Sequence, residues 1–126
     1  NNKLVGGDGA DLITGGDGSD LIIGGKGNDI LNGGNGVDTF QYTYAADGEG
    51  YDIINDFTAG ANGDVIKLIG APTIDQAWIT AHAAAIDLQN NKDNTIIWLS
   101  DLTETITLVG VKADTLTVDN FLAAAS

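Results

Sequence analysis

Four nine-residue units follow one another without a gap between Gly6 and Gln41: GGDGADLIT, GGDGSDLII, GGKGNDILN and GGNGVDTFQ. Positions 1, 2 and 4 are glycine in every unit. Position 6 is always aspartate, supplied by Asp11, Asp20, Asp29 and Asp38. Position 8 is always large and apolar: Ile13, Ile22, Leu31 and Phe40. Self-similarity at a fixed short period constrains a chain more than its composition does, because each unit must bury its apolar face against its neighbours. Glycines at three of four positions permit a tight turn with positive φ and backbone carbonyls aimed at one centre. The last three residues suffice for a short strand, and alternation turns only position 8 inward. Each unit is therefore half of a coil. Turns two units apart stack on the same edge, Asp11 over Asp29 and Asp20 over Asp38. Carboxylates stacked at about the 4.8 Å strand spacing repel one another unless a cation lies between them. Calcium, which accepts six to eight oxygen ligands, suits such a cage better than magnesium, which demands a tight octahedron.

The charge agrees. The chain has 126 residues, 18 of them acidic and 5 basic, for a formal charge of −13, and it contains no arginine. That balance repels nucleic acid and anionic membranes and attracts cations. Only Glu49 and Glu104 are glutamates, so the acid is concentrated in the residue that favours loops and hard-cation ligation. There is no cysteine, which removes disulfides, thiolate metal sites and cysteine nucleophiles. No signal peptide and no long apolar run is present, so no membrane span is expected. Because Asn2 stands where a position-6 aspartate would fall, the chain reads as a piece of a longer protein, with any export signal upstream or at the C-terminus.

The pattern GGxGxDxUx resembles the nonapeptide of the repeats-in-toxin (RTX, haemolysin-type calcium-binding) family. The resemblance implies a mainly β fold, a right-handed parallel β-roll built as a calcium-bound solenoid. It also implies calcium sites made of carbonyls and aspartates from consecutive turns on one edge. Carried onto this chain, one set is Gly7, Gly9, Asp11, Gly24, Lys26 and Asp29, with Lys26 giving only its carbonyl. The other is Gly16, Gly18, Asp20, Gly33, Asn35 and Asp38. A degenerate unit from Asp47 to Ile54, displaced by a five-residue insertion from Tyr42 to Ala46, offers Asp52. Asp52 closes a third site with Gly25, Gly27 and Asp29, or with Gly34, Gly36 and Asp38; Asp47 is a weaker candidate. Gly15, Asp17 and Asp20 face the truncated first unit. Two ions are expected in the interior and up to four in all. The segment with Asp56 and Asp64 is similar to the one that closes the roll in secreted RTX proteases, lipases and adhesins. These two carboxylates read as turn and edge residues in preference to calcium ligands.

Seventeen of the 18 glycines lie at or before Gly70, which divides the chain into the roll and its closing segment (1–70) and a C-terminal cap (71–126). In the cap, Ala71 to Asn90 is predicted to be a helix, N-capped by Thr73 with Gln76 three residues on. Its apolar stripe is Ile74, Trp78, Ala81, Ala85 and Leu88. His82, the single histidine, reads as structural, and alone it founds no zinc site. Thr95–Leu99 and Thr105–Val109 are predicted to form a β-hairpin. The last stretch, from Thr115 to Leu122, resembles the C-terminal end of type I secretion substrates, which implies that apparatus as a partner and a secreted or cell-surface location. The same residues also read as completing a core. No metalloprotease, nucleophile-elbow, phosphate-loop, dinucleotide or EF-hand motif occurs, so the module itself is not expected to be an enzyme. The chain reads as a monomeric part of a larger secreted protein, stabilising it; the alternatives are the tail of a secreted protease, lipase or polysaccharide-modifying enzyme, or part of an adhesin. Positions 3 (Asp8, Asp17, Lys26, Asn35) and 5 (Ala10, Ser19, Asn28, Val37) form no uniform threonine or asparagine row, which argues against an ice-binding face.

Overall fold

A computed structural model describes residues 1–43, 50–71, 73–85, 93–99 and 104–124. Asp47, Pro72, the predicted helix beyond residue 85 and the hairpin turn at 100–103 lie outside them. The strands are β1 (Lys3–Val5), β2 (Leu12–Gly16), β3 (Leu21–Ile23), β4 (Ile30–Gly34), β5 (Thr39–Thr43), β6 (Tyr51–Ile54) and β7 (Val65–Ile69). After the helix α1 (Gln76–His82) come β8 (Ala83–Ala85), β9 (Thr95–Trp98), β10 (Thr105–Leu108) and β11 (Phe121–Ala124). Among the described residues they form two sheets, β1-β3-β5-β7-β11 and β2-β4-β6-β10-β9-β8. Odd and even strands of the repeats thus alternate between sheets, and pairing is parallel until β9 and β8 turn antiparallel. This is the expected parallel roll with one short helix.

Register follows the repeat. Leu4, Ile22, Phe40, Ile66 and Phe121 stand opposite one another across the first sheet. Ile13, Leu31, Ile54 and Leu108 do so across the second. Ile22, Leu31, Phe40, Ile54, Ile66 and Leu108 are fully buried, so position 8 and its later counterparts are the core. Leu4 and Ile13, in the first two strands, are only partly buried against it. Burial of apolar side chains at one position per strand is what holds so short a set of strands together.

The C-terminal strands continue both sheets. β10 lies parallel to β6 and β11 parallel to β7. β9 and β10 form the expected antiparallel pair. The helix differs from expectation. It spans only Gln76–His82, and its N-cap is Asp75, whose side chain accepts from Trp78 N at 2.9 Å. Thr73 is not the cap. Asp75 sits three residues before Trp78, the spacing a capping carboxylate needs. Beyond His82, three alanines become an edge strand because pairing with β9 outweighs their helix propensity. The buried side is Trp78 and Ile79, whereas Ala81 is exposed and Ala85 belongs to the strand. His82 stacks on Trp78 with ring centroids 4.1 Å apart, and its Nδ1 lies 2.8 Å from the Trp78 carbonyl.

Asn120, fully buried just before β11, ties this strand to the closing loop of the roll. Its Oδ1 accepts from Gly60 N at 2.8 Å and Thr117 N at 3.1 Å. Its Nδ2 donates to the carbonyls of Gly60 and Asp64 at 3.1 and 2.9 Å. Removing the amide would leave several buried backbone groups unmatched. Asn120→Ala is expected to lower the unfolding free energy by roughly 2–4 kcal/mol, read as a lower urea midpoint in the calcium-loaded protein.

Candidate metal centre

Two edges of the roll carry the repeated turns. One holds residues 6–11 and 24–29 and leads to Asp52. The other holds 15–20 and 33–38 and ends in the longer loop 55–64. On the first edge Asp29 Oδ1 accepts from Asp11 N at 2.8 Å, and Asp52 Oδ1 accepts from Asp29 N at 2.8 Å. On the second, Asp20 Oδ1 accepts from Asn2 N at 2.7 Å, Asp38 Oδ1 from Asp20 N at 2.9 Å and Asp64 Oδ1 from Asp38 N at 2.9 Å. The rungs span 18 residues within the repeats and 23 where the insertion lies. The rung from Asp29 leads to Asp52, and the rung from Asp38 leads to Asp64.

One carboxylate oxygen is thereby fixed by the backbone. The other, Oδ2 of Asp11, Asp20, Asp29 and Asp38, is buried and has no hydrogen-bond donor. A Cβ added at Gly6 would lie 2.6 Å from Asp11 Oδ2 and 2.6 Å from the carbonyl oxygen of Gly24. At Gly15 it would lie 2.7 Å from Asp20 Oδ2 and 2.6 Å from the Gly33 carbonyl oxygen. The aspartate of one turn and the first carbonyl of the next therefore share a space kept open by the missing side chain. Position 1 is glycine for room. Positions 2 and 4 are glycine for conformation as well, as at Gly25 (φ 88°) and Gly27 (φ 107°). A side chain there would also fall on the carbonyl oxygens of Gly7 and Gly9, and at Gly34 and Gly36 on those of Gly16 and Gly18. Lys26 is exposed, and the Asn35 amide donates to Asp17 Oδ1 at 2.9 Å.

The chemistry of this donor set is specific. Among the described residues no three His, Cys, Asp or Glu side chains gather as a metal cluster. The oxygens brought together are mostly carbonyls, with carboxylates added one per turn. Zinc, which prefers nitrogen and sulfur at four-coordinate sites, does not fit. A hard cation with many oxygen ligands does, and calcium takes carbonyls and carboxylates alike. Unpartnered buried carboxylate oxygens are costly without such a charge.

Asp56 and Asp64 are held differently. Asp56 accepts from the backbone N–H groups of Gly33 and Gly34 at 2.8 and 2.7 Å. Asp64 accepts from Asp38 N and, at 2.8 Å through Oδ2, from Thr58 N. Both carboxylates thus match turn and edge donors. Asp64 is nevertheless a rung of the ladder, hidden in the sequence by the longer loop. The signal was the chain that follows it, in which Ile66 repeats the inward position of Phe40.

Residues 1–40 match the RTX calcium-binding nonapeptide repeat in four copies. They are RTX calcium-binding nonapeptide repeats. The RTX ladder extends past this match through Asp52 and Asp64. Comparison with curated protein sequences gives no match. Solved structures share the fold, including a lipase and an epimerase subunit. The extracellular lipase LipA from Serratia marcescens is 24% identical over 93% of this chain, with a TM-score of 0.59, and the chain spans 20% of the lipase's length. The AlgE6R3 subunit of the Azotobacter vinelandii mannuronan C5-epimerase is 24% identical over 96% of this chain and 78% of its own, with a TM-score of 0.56. No helix among the described residues is long and apolar enough to cross a membrane.

Burial raises the carboxyl pKa of Asp29, Asp38 and Asp64 above the ordinary value; backbone hydrogen bonds oppose this, and neighbouring aspartates add to it. The metal-free roll therefore binds protons more tightly than the unfolded chain does. Stability from these groups is complete below the ordinary carboxyl pKa of about 3.9 and is lost as pH rises through the raised values. Calcium-stripped protein is expected to gain β signal as pH falls from 7 towards 4. Calcium-saturated protein should lose stability over the same range, because protons and metal compete for the same oxygens. Circular dichroism of stripped protein against pH, and thermal melts of saturated protein, check both signs.

Proposed function

We propose that this module folds when extracellular calcium becomes available, and that the aspartate ladder is the switch. The observation that carries the reading is the set of buried, donorless Oδ2 atoms on Asp11, Asp20, Asp29 and Asp38. Gly7, Gly9, Asp11, Gly24, Lys26 and Asp29 would hold one ion. Gly16, Gly18, Asp20, Gly33, Asn35 and Asp38 would hold a second. The rung from Asp29 to Asp52 supports a third with Gly25 and Gly27, and the truncated first unit a fourth. Bound there, calcium supplies the positive charge that lets the carboxylates stack and the coordination that fixes the turns.

The residues do the rest. At −13 and with 18 glycines, the chain opposes collapse when its carboxylates are bare. That state suits passage through an export channel, and the resemblance of Thr115–Leu122 to type I secretion substrates supports this route. Residues 1–70 then act as the switch, and 71–126 as cap and export signal. Extracellular modules bind calcium at about 10⁻⁴ to 10⁻³ M. Free calcium at ten times the dissociation constant adds about 1.4 kcal/mol per site, so two to four sites contribute roughly 3–6 kcal/mol. That is a large share of a small domain's stability. The module is itself non-catalytic and stabilises a larger secreted protein. A second reading, the tail of a secreted enzyme, is supported by the fold it shares with parts of a lipase and an epimerase.

Calcium titration followed by far-UV circular dichroism tests the switch, with magnesium as control. A cooperative gain of β signal near millimolar calcium, absent with magnesium, is expected. Asp29 both receives a rung from Asp11 and passes one to Asp52, so Asp29→Ala should raise the calcium midpoint about tenfold or more, and Asp11→Ala less. A chain fully ordered in chelator would defeat the switch.

A further inference from the structure

Between Asp29 and Asp52 the repeat period is broken, yet the coils on either side of the insertion stack in register. The rung there spans 23 residues instead of 18, and Ile30 and Leu31 of β4 still stand opposite Ile53 and Ile54 of β6. A second bond lies beside that rung and runs the other way: Asn28 Oδ1 accepts from Tyr51 N at 2.9 Å. The later coil offers its aspartate to the earlier backbone, and the earlier coil offers its asparagine to the later backbone. The same opposed pair occurs where the period is intact. Asp20 Oδ1 accepts from Asn2 N at 2.7 Å, and Asn1 Oδ1 accepts from Ser19 N at 3.0 Å.

Asn1 and Asn28 both occupy position 5 of a unit, next to the ladder position, and their partners Ser19 and Tyr51 occupy position 5 one coil later. The glycine at position 4 of the later coil makes room for the asparagine. A Cβ at Gly50 would lie 2.7 Å from Asn28 Oδ1 and 2.4 Å from the Gly27 carbonyl oxygen, and one at Gly18 would lie 3.2 Å from Asn1 Oδ1. Elsewhere position 5 is Ala10 and Val37, which have no side-chain oxygen, and Ser19, whose oxygen sits one atom nearer the backbone. A carboxamide rung is neutral, so it adds no charge to the stacked carboxylates and needs no ion. Register matters at this junction. A one-residue slip of β6 would exchange the fully buried Ile54 for Ile53, which is 36% exposed. Two opposed rungs on neighbouring residues, Asn28 and Asp29, fix the pairing just before the strands begin.

We infer that Asn28 is a positioning residue for the third calcium site: its rung to Tyr51 sets the register after the insertion and brings Asp52 beneath Asp29. This rests on the proposed reading of Asp29 and Asp52 as calcium ligands with Gly25 and Gly27. The test uses the full chain, calorimetric calcium titration and amide hydrogen exchange followed by nuclear magnetic resonance. Asn28→Ala should speed exchange at the Tyr51 amide. It should also weaken one calcium-binding step about threefold to tenfold, the effect of one surface hydrogen bond, and leave the other steps unchanged. Asn28→Asp, which keeps the acceptor oxygen, should keep both properties. Should Asn28→Ala fail to fold, the milder Asn28→Ser is read in the same way. Ala10→Asn should place a new acceptor beside the Asn28 amide and slow its exchange. Val37→Asn should slow none, because Gly63 N already donates to the Gly60 carbonyl at 3.1 Å. An unchanged Tyr51 amide in the Asn28 variants, an equal loss at every calcium step, or no recovery in Asn28→Asp overturns the inference. A chain fully ordered in chelator defeats the folding switch alone, since exchange at Tyr51 is then read without metal and the calcium steps are still titrated.

Discussion

Everything in this fold depends on one hydrogen bond repeated along each edge: the backbone N–H before a strand donated to the carboxylate of the aspartate one coil later. The rung does two things at once. It aligns consecutive coils in register, because donor and acceptor belong to equivalent positions. It also orients the carboxylate, committing Oδ1 to the backbone and leaving Oδ2 in a glycine-walled space beside a carbonyl oxygen of the following turn. Neither role is available to glutamate without moving the carboxylate outward by a methylene. Aspartate rather than glutamate at each rung follows from that geometry.

The repeats were legible because they are local. A unit of nine residues contains its own turn, its own strand and its own core residue, and stacking identical units leaves little freedom. The ladder aspartates within the repeats, and the inward residues from Ile22 to Phe40, could therefore be named from spacing alone. Asp64 could not, because the loop before it breaks the period while the strand after it keeps the register with β5. The parallel pairing of β10 with β6 and of β11 with β7 was equally hidden. These pairings join residues more than fifty positions apart, and no local pattern announces them. The alanines after His82 misled in the other direction, since their intrinsic preference is helical and tertiary pairing decided otherwise.

The first and last of the described coils differ in chemistry. In the first, Leu4 and Ile13 are only partly covered, and Asn1 and Asn2 meet neighbouring edge groups. At the C-terminal end the backbone donors of Gly33, Gly34 and Asp38 meet the carboxylates of Asp56 and Asp64, and Asn120 stitches the closing loop to β11. There both oxygens of each carboxylate find N–H donors, so the closing loop can be ordered by hydrogen bonds and apolar burial. In the interior turns only Oδ1 does.

Asparagine shows why aspartate stands in the interior turns. An asparagine at position 6 could accept the same rung through its amide oxygen, and its NH₂ could then donate to the carbonyl that now faces Oδ2. Such a ladder would be neutral, satisfied and independent of any ion. Asn120 is this solution in the same molecule: its oxygen takes two backbone N–H groups while its nitrogen serves two backbone carbonyls, all of it buried. Aspartate at Asp11 and Asp20 instead sets a carboxylate oxygen against a carbonyl oxygen, an arrangement that repels in isolation and attracts once a cation is shared. On the proposed reading, the preference for aspartate over asparagine trades a fold that closes by itself for one whose closure uses a metal ion. That is the trade a calcium-triggered switch requires.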